Sequence, residues 1–409
     1  MIRSIIQTYR SAFSGLTKNA WILGLCQFVN SSGMMVMFYL TLYMTQKLHF
    51  SIDGAGRVMG LYGAGSLVGA YIGGWLSDRI DSLHVQKAGL IVTGLSFIAM
   101  GQVDRHLPFA ILTMMAAIGN GSVFPAVNTS IARILPPENR AKGYALNRLA
   151  VNLGVSIGPV VGGYLALHNY RSLFWADGLT CLAAAGFYLI MFRHFSNKPV
   201  AHENTETPAR SPWRDFQYLA FLGLIFITGI IFIQLFSTFP LYMKSVYGFL
   251  ENRIGQLMAI NTLLIVIVEM VLLEKVKHLR REKVIAFAFL LLGLGFALMP
   301  LGRGFLFASF TVGVWTFGEM LSMPLAAALI ADRAGEQSQG RYMGLFSLAF
   351  SSALVVGPLV GTGVYRNWGP NILWLGCGIL GLLMYLTGLR IGKKMTAGGA
   401  SATAFDKSL

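Results

Sequence analysis

Apolar runs of membrane-spanning length recur from one end of this sequence to the other, and the run 20–45 contains no charged residue at all. In hydrocarbon every backbone N–H and C=O must be satisfied within the protein, and these runs lack the alternation of a membrane strand, which leaves the helix. The remainder of the chain does not offset them. Of 409 residues, 55% are hydrophobic and 12% charged, whereas a soluble domain carries about 25% charged residues. Twelve spans can be drawn, at 20–45, 54–77, 86–103, 107–134, 141–167, 172–191, 216–245, 253–273, 283–301, 305–330, 342–365 and 372–389. The fold class expected is therefore an all-α polytopic membrane protein of twelve transmembrane helices.

The segments between spans order the chain. Residues 1–19 form an amphipathic N-terminus bearing Arg3, Arg10 and Lys18, with no cleavable signal, so the first span is read as an uncleaved anchor. A first bundle of six helices occupies 20–193 and a second 216–390; the linker 194–215, polar and without apolar period, is expected to be solvated, and 391–409 is a tail. The net charge of +15 could point to nucleic acid. Most of the 32 Lys and Arg residues, however, fall in segments on the side of the termini, the pattern that places both termini in the cytoplasm. The partners expected are the bilayer and a small-molecule substrate, with no nucleic acid, for a monomer in a bacterial-type cytoplasmic (inner) membrane. Cys26, Cys181 and Cys377 lie inside spans at unrelated spacings, which reads as buried thiols with no disulfide, metal site or cofactor.

Between 147 and 164 the sequence reads NRLAVNLGVSIGPVVGGY. Gly154, Gly158 and Gly162 recur every fourth residue and so share one helix face, with Pro159 inside the run and Gly163 beside it. A proline in a soluble helix interior costs about 3 kcal/mol, whereas in a membrane neighbouring helices can satisfy the freed groups and small residues permit close approach. The stretch has a mate: Gly357, Pro358 and Gly361 follow Gly158, Pro159 and Gly162 at one separation (199 residues, Gly158 to Gly357). The same separation relates Leu42-Tyr43-Met44 to Leu241-Tyr242-Met243, Gly56 and Met59 to Gly255 and Met258, and Gly119 and Pro125 to Gly318 and Pro324. One register over several helices identifies an internal repeat, two six-helix halves in the same orientation.

With these residues in view the chain resembles the major facilitator superfamily over essentially its whole length, and within it the 12-helix drug:proton antiporter branch. Gly74-Trp-Leu-Ser-Asp78-Arg79 resembles the family's cytoplasmic motif between helices two and three, with the later basic residues degraded to Asp81, His84 and Lys87. The Gly154 to Gly163 pattern resembles the antiporter motif of helix five. The resemblance implies two pseudo-symmetric six-helix bundles, alternating access, and gating roles for Asp78 and Arg79. Two departures stand out. Met115 replaces an arginine common in helix four of the branch, and the first span lacks the charged cluster of proton-coupled peptide importers.

Charges within spans cost at least ~2.5–3.5 kcal/mol each at a helix centre and are functional candidates. Glu319 lies midway along its span, opposite Asn120 in the repeat, and is the proton-coupling candidate. Arg148, about 10 Å from its helix end at 1.5 Å per residue, and Glu269 at similar depth are an interdomain pair in one reading; in the other each pairs within its own half. Asp177, beside Trp175 and Arg171, reads as an interfacial anchor. Asn30, Asn152, Gln234 and Asn261, with Tyr39, Tyr62 and Trp315, are candidates to line a cavity, although an intramembrane amide is often only interhelical glue.

The leading expectation is a secondary active transporter exporting a small amphipathic molecule or drug in exchange for protons. A facilitator or proton-coupled carrier of a metabolite, sugar, siderophore or lipid is the alternative. An intramembrane enzyme is more remote, since no Ser/His/Asp cluster or metal-ligand spacing lies inside a span, as is a membrane sensor, since the short linker and small-residue tail offer no signalling module; without a nucleotide-binding loop, direct ATP drive is not expected.

Overall fold

The computed structural model describes residues 13–193, 195 and 211–405. Most of the expected N-terminal segment and linker lies outside the described residues. Within them the regular structure is helical: α1 Lys18–Ser32, α2 Val36–Gln46, α3 Ile52–Arg79, α4 Ser82–Met100, α5 His106–Ile134, α6 Pro137–His168 and α7 Arg171–Met191. The second half supplies α8 Phe216–Ser237, α9 Phe239–Ser245, α10 Glu251–Val276, α11 Arg281–Ala297, α12 Phe305–Asn367 and α13 Pro370–Phe405. Local sequence sets many of the starts. The Asp81 side chain accepts from Leu83 N and caps α4, Asp215 does the same for Tyr218 N at α8, and Pro137 opens α6. Exposed Leu107, Leu306, Phe310 and Ile379 are part of the apolar outer surface that a bilayer covers.

Four departures from the expected spans have physical causes. The first span is broken between Ser32 and Val36, at the run Ser31-Ser32-Gly33. A Cβ on Gly33 would overlap Thr180 Oγ1 and lie 2.6 Å from Thr180 Cβ, so the close approach of α7 at the break requires glycine. The seventh span is interrupted at Thr238, where Gln234 Oε1 accepts from both Ser237 Oγ and Thr238 Oγ1. Spans ten and eleven are joined by helical backbone: 331–341 has no proline to break it, and its Ala, Glu, Gln and Arg outnumber Gly335 and Gly340. The last stretch of the expected solvated linker is ordered and partly buried: Pro212–Arg214 forms a 3-10 turn with Trp213 exposed, while Pro212 and Asp215 are buried.

That Asp215 anchors a polar node. Arg333 Nε donates to Asp215 Oδ2 and Nη2 to Oδ1, both at 2.7 Å, and Nη1 reaches Met395 O at 2.8 Å. Tyr342 Oη also donates to Asp215 Oδ2, so one carboxylate ties the start of α8 to α12, and Arg333 adds α13. The expected tail at 391–395 is thereby part of the helical body. Burial pushes the Asp215 carboxyl up, but the Arg333, Tyr218 and Tyr342 hydrogen bonds and the Arg333 charge outweigh it and hold the group below its usual range.

The chain divides into two compact units whose borders do not follow the sequence halves. Of the described residues, the first contains 13–49, 61–193, 195 and 250–263; the second contains 50–60, 211–249 and 264–405. The first unit has a core around Leu23, Cys26, Leu90, Val127 and Tyr188. In the second, Phe296 is sandwiched between Trp315 and Trp374 at centroid distances of 5.5 and 5.6 Å.

Candidate functional site

Two features of the first unit bear on function. One is a polar pocket of about 40 Å³ inside the apolar bundle, lined by residues from six helices. Asn30 comes from the end of α1, Tyr62 from α3, Thr93 from α4, Asn120 from α5, and Asp177 and Cys181 from α7. Asn120 Nδ2 donates to Tyr62 Oη at 3.1 Å. Asp177 Oδ2 accepts from the backbone N–H groups of Met35 at 3.1 Å and Val36 at 3.0 Å, the unsatisfied donors where helix resumes after the break. On the other carboxylate oxygen, Cys181 Sγ stands 3.9 Å from Asp177 Oδ1 and 3.6 Å from Asn30 Oδ1. None of the lining residues is basic.

This placement corrects the reading of Asp177 as an interfacial anchor. It is 4% exposed, on the inward face that continues through Cys181, Ala184 and Tyr188. Its neighbours hold the interface instead: Trp175 is exposed, and Arg171 pairs with exposed Asp104 at 2.9 Å. The missed signal was the Ser-Ser-Gly run, which breaks the first span and creates donors that a buried carboxylate can satisfy.

The second feature is a clasp between the start of α10 and the helices that carry the first half's motif. Tyr39 Oη on α2 donates at 2.6 Å to Pro159 O, with Glu251 O 3.2 Å away. Tyr170 Oη donates to Glu251 Oε1 at 2.6 Å. Burial, then the hydrogen bond and charge of Glu251, raise the Tyr170 hydroxyl well above the usual tyrosine range. A Cβ on Gly255 would overlap Pro159 O and lie 2.6 Å from Tyr39 Oη. Backbone meets backbone here.

The second unit repeats the contact with the repeat mates. A Cβ on Gly56 would overlap Thr362 Oγ1 and lie 2.9 Å from Thr362 Cβ, and that hydroxyl donates to Pro358 O at 2.7 Å. Gly56 is the mate of Gly255, and Pro358 of Pro159. Arg366 on α12 forms an ion pair with Asp53 at the same end. The turns that lead into the two clasps are mates as well: His49 has φ 54° and Gly248 φ 71°. Glycine takes that left-handed conformation without cost and histidine does not.

The other expected residues fall as follows. Gly154 and Gly158 lie close to Phe28, Ser31 and Met34, and Gly162 to Met35 and Tyr39, so the glycine face of α6 receives the broken first span. Gly163 meets Glu251 O and Asn252 Cα, at the clasp. Gly357 faces Ile233 and Gly361 faces Gln234. Among the cavity candidates, Asn30, Tyr62 and Asn120 share the pocket. Tyr39 belongs to the clasp, Gln234 ties Gly357 O at 2.9 Å to the interruption of the seventh span, and Trp315 is fully buried in its aromatic stack. Asn152 is half-buried on α6 and Asn261 is buried on α10, neither lining this pocket. Glu319 is half-buried in the second unit, where Ser322 Oγ donates to its backbone oxygen at 3.2 Å. Arg148 is exposed in the first unit and Glu269 buried in the second. Asp78 is exposed; Arg79 stacks on Trp75 with its guanidinium carbon 3.9 Å from the ring centre, Gly74 lies beside Pro125, and Arg133 Nη2 donates to Ser77 O.

Known proteins share this architecture. The profile of the Major Facilitator Superfamily matches residues 23–358 and 278–398. An uncharacterised MFS-type transporter of Bacillus subtilis, YttB, is 25% identical over 391 residues, covering 91% of this chain and 95% of that protein. A Na(+), Li(+), K(+)/H(+) antiporter of Planococcus maritimus is 24% identical, covering 88% and 92%. Multidrug resistance protein 2 of Bacillus subtilis is 22% identical, covering 77% and 80%. Among solved structures, a peptide transporter POT in complex with sulfate superimposes with a TM-score of 0.81 at 17% identity, covering 94% of this chain and 96% of its own; at that identity the likeness is one of fold.

Proposed function

This chain belongs to the major facilitator superfamily and is a multi-pass membrane transporter, and from that premise we propose that it exports a small amphipathic molecule in exchange for protons, by alternating access. The observation that carries the reading is the twin clasp, Gly255 on Pro159 and Gly56 on Thr362, whose hydroxyl bonds Pro358 O. Both contacts are formed by the helix starts that follow the loops opposite the termini, and both rest on a glycine packed closely on the facing helix, with few polar bonds. Contacts of that kind can part and re-form at modest cost, as a gate must. With the termini cytoplasmic, the clasps close the outer face. Glu319 is the coupling group: a carboxyl within a span is expensive when charged, so its proton occupancy can be exchanged against that of a substrate. Relatives named for multidrug resistance support the direction of transport.

The test uses proteoliposomes with an imposed proton gradient and ethidium as the fluorescent reporter. Gradient-driven movement of the dye is expected for the intact protein and not for Glu319→Gln. If it survives that substitution, Glu319 is not the coupling group. A second reading, exchange of a monovalent cation for protons, is favoured by the Planococcus maritimus antiporter. A sodium gradient that alkalinises or acidifies the same vesicles without dye selects it.

A further inference from the structure

We propose that Asp177 is a second proton-binding site, one that sets the hold of α7 on the broken first span and through it the outer clasp. The proposal rests on the proton-coupled reading above and names a group outside it.

The arrangement has three parts. A carboxylate 4% exposed stands in a bundle whose pocket contributes no cation to neutralise it. The titratable side chains facing it are Cys181 on its own helix and Tyr62 on α3; α1, α4 and α5 contribute neutral Asn30, Thr93 and Asn120. Its stabilisation as an anion comes from the two backbone donors, Met35 N and Val36 N, and from the partial positive charge at the start of α2, an eleven-residue helix. The pocket's volume of about 40 Å³ has room for roughly three water molecules at ~10–15 Å³ each, a path for a proton.

The consequence of protonation follows from what Oδ2 holds. A proton taken from water on one side of the membrane bonds to a carboxylate oxygen, neutralises the group and is later returned to water; no other bond forms or breaks. Charge-assisted hydrogen bonds are roughly twice as strong as neutral ones, so the grip on Met35 N and Val36 N relaxes. One helical turn beyond Val36 stands Tyr39, whose hydroxyl bonds Pro159 O beside Gly255. Acidification on the outer side therefore loosens α2 and, with it, the contact that α2 makes in the clasp. Deprotonation restores both.

Two readouts on the full chain in lipid nanodiscs test this without any substrate. Infrared difference spectra between acid and alkaline pH should show a protonated-carboxyl C=O component in Glu319→Gln that is missing once Asp177→Asn is added. Labelling of Asn252→Cys by a membrane-impermeant maleimide should rise several-fold on acidification and stay at the high level at all pH values once Asp177→Asn is added, since the amide stands in for the neutral acid. Asp104→Asn, which removes an exposed carboxylate of the same bundle, should leave both responses as in the wild type. A Glu319→Gln band left unchanged when Asp177→Asn is added, or labelling in Asp177→Asn that keeps the wild-type pH response, overturns the proposal. Loss of dye transport in Glu319→Gln together with an unaffected clasp in Asp177→Asn would leave coupled transport standing and this site not. A clasp that responds to Asp177 in a protein that moves no dye under a proton gradient would leave this site standing and dye export not.

Discussion

Substituting the two clasp glycines with alanine should have unequal remedies. At Gly255 the new methyl group meets Pro159 O, a backbone atom fixed by its helix, and Tyr39 Oη at 2.6 Å. At Gly56 the atoms it meets first belong to the side chain of Thr362, whose Cβ lies 2.9 Å away. Overpacking of this kind costs about 1–3 kcal/mol. Charged against the closed state alone, that lowers the closing equilibrium by about 5- to 150-fold. The assay is maleimide labelling of Asn252→Cys in proteoliposomes, a clean background because Cys26, Cys181 and Cys377 are buried. Both alanine variants should label faster than the parent. Adding Thr362→Gly to Gly56→Ala removes the opposing side chain and should restore slow labelling. Adding Tyr39→Phe to Gly255→Ala should not, because the Pro159 oxygen remains. Parent-level labelling in both single variants would refute the view that these glycines mark the closed contact.

Three further outcomes are expected. Tyr170→Phe leaves the buried Glu251 carboxylate one donor short, at a cost of about 1.5–3 kcal/mol, so labelling at the clasp should quicken by tenfold or more. Arg366→Ala should have under about 1 kcal/mol of effect in the same assay, since the Arg366 side chain is 55% exposed in its pair with Asp53. Arg333→Gln leaves Asp215 buried without its partner and should lower stability by about 3–5 kcal/mol, read as loss of thermal stability in detergent. The folded-state pKa of Asp215 lies below its unfolded value near ~3.9, so the node's contribution is complete above that pH and is lost as pH falls through the lowered value. The wild type should therefore lose stability in acid more steeply than Asp215→Asn.

Much of this architecture could be read from the chain. Helix positions follow from apolar length, and the repeat linking Gly158-Pro159 to Gly357-Pro358 named the helices on which both clasps close. The Gly56–Gly255 correspondence was equally visible; that each glycine docks on the other half's proline motif was not, because a repeat fixes equivalence and not contact. Asp177 escaped for a similar reason. The donors it meets begin 142 residues away in sequence at Met35, and only the break at Gly33 makes them available. Gln234 looked like a cavity amide until the interruption at Thr238 gave its oxygen two hydroxyl donors. The connection 331–341 reads as a loop because it is polar and holds Gly335 and Gly340, yet it has no proline and Arg333 has a buried carboxylate to meet.

The two clasps are one contact written twice. In an assembly of two identical six-helix chains about a two-fold axis, residue i of one copy meets j of the other and the reverse, so every change at such an interface is imposed in duplicate. Fusion into a single chain lifts that constraint while the geometry persists. Here one copy has settled on an exposed ion pair, Asp53 with Arg366, and the other on a buried carboxylate held by Tyr170. Ionic strength acts mainly on the first. The two contacts of the fused chain are thus held by different chemistry and can be tuned separately.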